Sequence, residues 1–358
     1  MKKFIGIDLK GNRYFYNEKS ANSGFIATGR SGYGKTQAIF SQAVQAAETG
    51  EKIIVINWRR TVTEDTVISE LYERYEKLVC RHNVATEGLT LPLFSKHKTT
   101  AGNEESDMDL TARLTGLLSY TCGLNSTQKT ALHTAICDIY RNGYYKNEGL
   151  EVICDWLNSQ KSNTAKAVAG RLFPLCGFGK LKDGSFINDS KPIFEINLNG
   201  LEYDEQTLFA KFILCFIQRE AMRGAFTKKP VTVFIDEVQN LLNGKRMQEP
   251  LEILLNEGRK LNIKLLLACP SLSGSAKNKN FTLMQCATTL FFQPIDEERV
   301  KLAKMIAPKE SESINYVLSK LKVGECIAKG SFVVVTPDGK ERTEEGVYRI
   351  QTKLSDAI

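Results

Sequence analysis

The chain has 358 residues, which allows one large or two ordinary domains, and 42% of them are hydrophobic, enough for a sizeable core. Lysine and arginine (48) exceed aspartate and glutamate (41), and the net charge of +7 fits a polyanionic partner without requiring one. Nowhere do eighteen apolar residues occur together, so we expect no membrane span.

The cysteines and the start of the chain both favour the cytoplasm. Nine cysteines stand singly in apolar stretches without a C-x-x-C pair, and only three histidines accompany them. This pattern argues against zinc and disulfides and favours buried free thiols in a reducing compartment. The apolar run in MKKFIGIDLKGN is too short for an export signal, so we expect no such signal.

Strands and helices alternate over the first part of the chain. Residues 2–17 contain two short strands around the turn LKGN, which predicts an N-terminal β-hairpin. The strand GFIAT (24–28) precedes a glycine-rich turn, an amphipathic helix that ends near Gly50, and the apolar strand EKIIVIN (51–57). A β-α-β unit of this kind predicts a parallel sheet.

The rest of the chain predicts a helical segment and more strands. Between about residues 89 and 189 the strand signal disappears, and three amphipathic helices replace it, one with Ser126 or Thr127 as N-cap. The end predicts an edge hairpin with turns at PDG and EEG. Further strands are predicted at PIFEINL (192–198), VTVFIDE (231–237), IKLLLAC (263–269) and ATTLFFQ (287–293). We therefore predict an α/β fold with three parts: a β-hairpin at 1–23, a sheet domain at 24–90 and 191–358, and a helical insertion at 91–190.

The strongest chemical signal is GRSGYGKT, which matches the pattern G-x-x-x-x-G-K-[ST] between a strand and a helix. Its glycines let backbone N–H groups turn towards a β-phosphate, and the helix N-terminus adds positive charge. Lys35 is expected to reach the β- and γ-phosphates, and Thr36 to ligate Mg²⁺. The motif predicts an ATP site formed by Gly29, Arg30, Ser31, Gly32, Tyr33, Gly34, Lys35 and Thr36.

Such a site needs a carboxylate at the end of a neighbouring strand, and VTVFIDE supplies two. Asp236 is expected to hold Mg²⁺, and Glu237 to orient and polarise the attacking water. The alternative is that Asp236 caps a following helix and Glu237 is merely solvated. Adjacent aspartate and glutamate suit hydrolysis better than phosphorylation of a small molecule.

Arg259 and Lys260 follow the apolar helix PLEILLNEG and precede a strand. A guanidinium stabilises the charge that develops on a transferred phosphoryl group, and ring ATPases commonly supply it from the adjacent subunit. Two cations at this position also complement the dipole of the preceding helix. The residues alone leave both roles open.

The motifs GRSGYGKT, FIDEVQNLL and NEGRKLNIKLLLACPS, with the helical segment between them, resemble the FtsK/HerA superfamily of P-loop motors. Within it, the chain looks most like the HerA and conjugative-transfer (type IV secretion) ATPase branch. The resemblance covers roughly residues 24–298 and implies a RecA-like ATPase core, a homo-hexameric ring, and translocation of DNA or another polymer. It also makes Arg259 the preferred arginine finger, acting in trans.

Three features depart from the family pattern. Members usually carry a polar residue, often glutamine, where this chain has Pro270, and proline has no side-chain donor to sense the γ-phosphate. Asn57 and Trp58 stand where many members have aspartate and proline, and Trp58 is expected to be half-buried rather than stacked on a base. The extra N-terminal domain of longer relatives is missing, which predicts a partner subunit.

DNA contacts are predicted on two basic loops, because flexible lysines and arginines suit phosphate contacts that ignore sequence. The candidates are Lys245 and Arg246, and Lys277 and Lys279. Ordinary solvated loops explain the same residues equally well.

Three functions are compatible with the sequence. We favour a ring-forming, ATP-driven motor that translocates DNA in conjugation, DNA processing or phage defence. The second is an ATPase that acts on protein partners, as in type IV secretion. The third is a nucleotide-gated binding module with little hydrolysis, which Pro270 motivates.

Overall fold

A computed structural model of the chain describes residues 2–20, 22–58, 67–97, 104–184, 191–227, 229–243, 248–272 and 282–352. The chain divides into two compact units. The first consists of Met1–Cys80, Lys191–Glu195 and Phe226–Ile358, and the second of Arg81–Ser190 and Ile196–Ala225. The domain bounds predicted from the sequence remain a prediction.

The strands and helices follow one another in alternation. The strands are β1 (Phe4–Ile7), β2 (Arg13–Tyr16), β3 (Gly24–Thr28), β4 (Lys52–Asn57), β5 (Val79–Asn83), β6 (Leu89–Leu91), β7 (Leu181–Asp183), β8 (Ile193–Asn197), β9 (Val231–Ile235), β10 (Ile263–Cys269), β11 (Thr288–Phe291), β12 (Glu325–Val335) and β13 (Glu341–Gln351). The helices are α1 (Lys35–Glu48), α2 (Ser69–Leu78), α3 (Val84–Glu87), α4 (Asp107–Thr121), α5 (Ser126–Asn142), α6 (Tyr145–Glu148), α7 (Glu151–Ser159), α8 (Asn163–Cys176), α9 (Tyr203–Met222), α10 (Gln248–Glu257), α11 (Asp296–Ile306) and α12 (Ser311–Ser319).

Eleven of the described strands form a large sheet in the order β13-β1-β2-β12-β11-β3-β10-β9-β4-β8-β5. Its centre is parallel, with β3 between β10 and β11, and β9 between β10 and β4. Every residue of β3 and β9 is buried, as expected for parallel strands covered on both faces, and α1 packs on β3, β4, β9 and β10. The predicted α/β fold with a mostly parallel sheet is confirmed.

The two ends of the chain form hairpins that join one another. The predicted N-terminal hairpin is present as β1 and β2, with a turn in which the Asp8 side chain accepts hydrogen bonds from the N–H groups of Lys10 and Asn12. Because β2 pairs with β12, and β13 pairs with both β1 and β12, these four strands close into a ring.

Two details of the predicted C-terminal hairpin are wrong. The EEG segment does not form a turn, because β12 pairs with β13 along its whole length and places Gly346 opposite Gly330. Only the PDG segment connects the strands. The hairpin is also not a simple sheet edge, since β12 lies between β2 and β11.

The second unit is helical, as predicted, with two corrections. The N-cap of α5 is Asn125 rather than Ser126 or Thr127: its side chain accepts a hydrogen bond from Gln128 N–H, and the Gln128 side chain accepts one from Asn125 N–H. Strands β6 and β7 form a parallel pair that the sequence did not predict. Three residues each are too few for a recognisable alternation of polar and apolar side chains.

Candidate functional site

The candidate phosphate loop, GRSGYGKT (Gly29–Thr36), follows the carboxyl end of β3 and leads into α1. Gly29 has a φ of 138°, and a Cβ atom there would lie 2.8 Å from the carbonyl oxygen of Phe292, so only glycine fits. Arg30 N–H donates to the carbonyl oxygen of Gln293 at 2.7 Å, and Phe292 N–H donates to that of Thr28 at 2.8 Å. The segment after β11 therefore holds the start of the loop.

The N-terminus of α1 is open to an anion. Gly34 is its N-cap and offers no capping side chain, and the first turn contains no acidic residue. Lys35 Nζ donates to the carbonyl oxygen of Arg30 at 3.0 Å and so spans the loop. Burial lowers the pKa of Lys35, an effect opposed by the charge of Asp236. The arrangement suits a phosphate chain bound by backbone N–H groups and one ammonium group.

Asp236 joins the phosphate loop to the end of β9. Its Oδ2 accepts a hydrogen bond from Thr36 Oγ1 at 3.0 Å, and its Oδ1 accepts one from Glu237 N–H at 2.8 Å. The side chain is buried, with 6% exposed. A hydroxyl and a carboxylate in contact are hard oxygen donors of the kind that Mg²⁺ prefers. These two residues therefore fit a magnesium site.

Trp58 contacts the backbone of Asp236. Its side chain is buried, with 1% exposed, and its Nε1 donates to the backbone carbonyl of Asp236 at 2.8 Å. The expectation that Trp58 is half-buried is wrong, and a base-stacking role is excluded for the same reason. Sequence reasoning missed the contact with Asp236, for which a tryptophan at the end of β4 was the only signal.

Glu237 follows Asp236 in a strained conformation. Its φ of 50° lies in the left-handed region, which costs a non-glycine residue roughly 1–2 kcal/mol. Such conformations cluster at functional sites, where the surrounding structure maintains them. The short helix Val238–Asn243 follows directly. The role of Glu237 as the residue that activates water remains a prediction.

Arg259 and the phosphate loop lie at opposite ends of the central parallel strands. Arg259 comes before the start of β10, and the phosphate loop comes after the end of β3. Strands β3 and β10 are parallel, and their last residues, Thr28 and Cys269, lie opposite each other. The seven residues of β10 separate the two ends by roughly 20 Å, more than an arginine side chain spans. Arg259 is therefore not brought together with Lys35 and Asp236 of its own chain.

The turn that carries Arg259 is tightly packed. A Cβ atom on Gly258 would lie 2.2 Å from the carbonyl oxygen of Leu254 and 2.7 Å from that of Ile263. The exposed guanidinium of Arg259 donates from Nη1 to the carbonyl oxygen of Ser20 at 3.3 Å. The glycine of the Glu-Gly-Arg-Lys sequence thus allows the close approach that positions the arginine.

The position after β10 offers no sensor side chain. Pro270 is exposed, and the Ser271 hydroxyl donates to the Glu298 carboxylate. A polar residue that the sequence did not suggest, Gln293, lies after β11 on the other side of β3. Its Nε2 donates to the carbonyl oxygen of Ser319 at 3.3 Å, and its buried Oε1 has no hydrogen-bond partner among the described residues.

Several other expectations concern charge, metals and membranes. The predicted DNA contacts Lys245, Arg246, Lys277 and Lys279 lie outside the described residues. In the part of the chain that is described, no group of three or more histidine, cysteine, aspartate or glutamate residues is arranged to hold a metal ion. Within the same ranges, every helix is too short or too polar to span a membrane. None of the nine cysteines, all of which lie within the described residues, forms a disulfide.

Replacing Asp236 by asparagine is expected to raise the free energy of unfolding at neutral pH. Burial raises the pKa of this carboxyl above its ordinary value of 3.8, against hydrogen bonds from Thr36 and Glu237. A carboxyl with a raised pKa contributes stability that is complete below its unfolded-state pKa and lost as the pH rises through its folded-state pKa. Denaturant unfolding of both proteins at pH 4 and pH 7, with a chelator and no nucleotide, should show a larger gain for Asp236→Asn at pH 7.

The matched control is Asp8→Asn, for which the opposite sign is expected. Burial raises the pKa of Asp8, but hydrogen bonds from Asn12, Lys10 and Tyr14 outweigh it and the pKa is lowered. Asp8 therefore contributes stability above its unfolded-state pKa, and the asparagine variant should be less stable at pH 7. A loss of stability in Asp236→Asn at pH 7 would contradict the prediction and show that the charge is compensated.

Comparison with solved structures gives the same fold. VirB4 of Thermoanaerobacter pseudethanolicus is similar with a TM-score of 0.67 and 15% identity, over 98% of this chain and 96% of that chain. The bacterial conjugative coupling protein TrwBdeltaN70 in its unbound monoclinic form has a TM-score of 0.54 and 9% identity, over 99% and 90%. TrwB in complex with ADP and Mg²⁺ has a TM-score of 0.51 and 9% identity, over 93% and 86%. No protein-family profile matches the sequence, and no curated protein matches it.

Proposed function

We propose that the chain is an ATP-hydrolysing motor that assembles into a homo-hexameric ring and translocates DNA. One observation carries the proposal: Lys35, Thr36 and Asp236 lie where the central parallel strands end, and Arg259 lies where β10 begins, with its Nη1 donating to the carbonyl oxygen of Ser20. Copies arranged head to tail would bring Arg259 of one copy to the phosphate loop of the next. A head-to-tail contact that closes on itself makes a ring.

Each residue of the proposed site has a separate role in ATP hydrolysis. Thr36 and Asp236 would hold Mg²⁺, which neutralises charge on the phosphates when it is bound. Lys35 and the N–H groups of the loop orient the γ-phosphate, and Glu237 accepts a proton from the attacking water. The oxygen of the water forms a bond to the γ-phosphorus while the bond between the γ-phosphorus and the β,γ-bridging oxygen breaks. ADP is the leaving group. Arg259 of the adjacent copy stabilises the charge that develops.

Three further observations support DNA as the polymer and the cytoplasm as the location. The structures with similar folds include a protein described as a bacterial conjugative coupling protein. The chain carries a net charge of +7, which fits a polyanion. Nine cysteines without a disulfide among them fit a reducing compartment.

The test is ATP hydrolysis with and without double- and single-stranded DNA at two salt concentrations. We expect DNA to raise the rate several-fold, and the stimulation to fall at higher salt because the contacts are to phosphates. Heparin serves as the polyanion control and should stimulate less than DNA. A hexamer whose hydrolysis is indifferent to DNA would favour an ATPase that acts on protein partners.

Pro270 favours a second candidate, a nucleotide-gated binding module, because its position lacks a side chain that senses the γ-phosphate. This candidate predicts nucleotide binding with no hydrolysis under any of these conditions. It also makes a partner subunit necessary for activity. Robust turnover by the chain alone would remove it.

A further inference from the structure

The loop between α12 and β12 is hydrogen-bonded to the phosphate loop. Gly324 N–H donates to the carbonyl oxygen of Tyr33 at 3.1 Å, and a Cβ atom on Gly34 would lie 3.6 Å from Gly324 Cα. The carbonyl oxygen of Gly324 in turn accepts hydrogen bonds from Thr352, from N–H at 2.8 Å and from Oγ1 at 2.9 Å. The loop therefore occupies a fixed position beside the second half of GRSGYGKT.

The residue before Gly324 is an exposed valine. Val323 is 66% exposed, whereas Leu321, two residues earlier, is 4% exposed and anchors the loop. Lys322 N–H donates to the Glu325 carboxylate at 3.0 Å, which fixes the loop on both sides of Val323. A rigid loop next to a phosphate site thus presents an apolar surface that the described part of the chain leaves open to solvent.

The sheet order distinguishes the two sides of the GRSGYGKT loop. Thr36 and Asp236, the proposed magnesium ligands, are in contact on the side of β3 that faces β9. Gly324 lies on the opposite side, because it precedes β12, which follows β11 in the sheet. With its γ-phosphate directed towards Asp236 and Glu237, a nucleotide would have its base on the side of the Gly324 loop.

We infer that Val323 forms an apolar wall against the nucleobase of the nucleotide whose phosphates bind to GRSGYGKT. The inference rests on the proposed function and adds the base subsite to it. An apolar side chain stabilises a base by the apolar area that the contact buries, and it forms no hydrogen bonds with the base. The site should therefore prefer nucleotides to an inorganic phosphate chain and should distinguish adenine from guanine only weakly.

The test compares the binding of a non-hydrolysable ATP analogue and inorganic tripolyphosphate, both with Mg²⁺, to the wild type and to Val323→Asn. Asparagine is similar in size and uncharged, so it removes the apolar surface without repelling phosphate. We expect analogue binding to weaken about tenfold and tripolyphosphate binding to stay within about twofold. The control is Val300→Asn, at a valine of α11 that is 52% exposed, which should bind both ligands like the wild type.

Different outcomes separate the two proposals. If Val323→Asn weakens both ligands equally, or neither, the base-wall inference is overturned while the phosphate site stands. If Val300→Asn matches Val323→Asn, the effect is not local and the inference also fails. A wild type that binds neither ligand would overturn the proposed function and this inference with it.

Discussion

Glu237→Gln is expected to lower the rate of ATP hydrolysis by roughly two to four orders of magnitude while leaving nucleotide binding intact. Glutamine keeps the size of the side chain, but its amide cannot accept the proton of the attacking water. It also keeps the backbone at a φ of 50°, a value that the neighbouring Asp236 hydrogen bond helps to maintain. Hydrolysis measured under single-turnover conditions, beside a nucleotide-binding titration, separates lost chemistry from lost binding.

The control for this prediction is Glu297→Gln, on the exposed first turn of α11. It makes the same chemical change at a position outside the site and should leave hydrolysis unaltered. If Glu237→Gln retained wild-type turnover, another group would have to act as the base. The alternative that Glu237 is merely a solvated residue would then be correct.

Arg259→Ala is expected to reduce hydrolysis by about a thousandfold, the lower end of the range for arginine fingers. Its neighbour Lys260 is exposed in the same turn and provides a matched control, since Lys260→Ala removes a charge from that turn as well. A finger role predicts a far larger effect for Arg259. Equal, small effects would favour the simpler role in which both cations complement the dipole of α10.

Mixed assemblies test whether Arg259 acts in trans. An Arg259→Ala subunit keeps its own Glu237, and a Glu237→Gln subunit keeps its own Arg259. When the two inactive variants are coexpressed with different tags and copurified, about a quarter of the sites should combine both intact residues, because each such site needs one particular subunit on each side. Recovery of activity in the mixture supports a finger from the adjacent copy. No recovery in a verified mixed ring would contradict it.

Much of the fold was predictable because its signals are local. The phosphate loop was recognisable from eight consecutive residues between an apolar strand and an amphipathic helix, and it occupies that place between β3 and α1. Continuous apolar runs predicted β9 and β10, since strands buried on both faces need no polar alternation. Helical periodicity likewise predicted α4, α5 and α7.

The local errors have local causes. Asn125, Ser126 and Thr127 are all good caps, and only the reciprocal hydrogen bonds with Gln128 distinguish Asn125. The sequence EEG is typical of a turn, but pairing with β12 along eleven residues keeps it within β13. A partner strand satisfies more backbone groups than a turn would.

The sequence by itself determined the α/β class and the place of GRSGYGKT between a strand and a helix, and it predicted the roles of Asp236 and Glu237. Each of these depends on residues close together in the chain. Only the tertiary structure decided that Trp58 contacts Asp236 across 178 positions of sequence, that Gly324 lies against Tyr33, and that Arg259 lies at the opposite end of the central strands from the phosphate loop. Such contacts depend on which strands are neighbours. Apolar patterns specify that a strand is buried, but not the strand beside which it is buried.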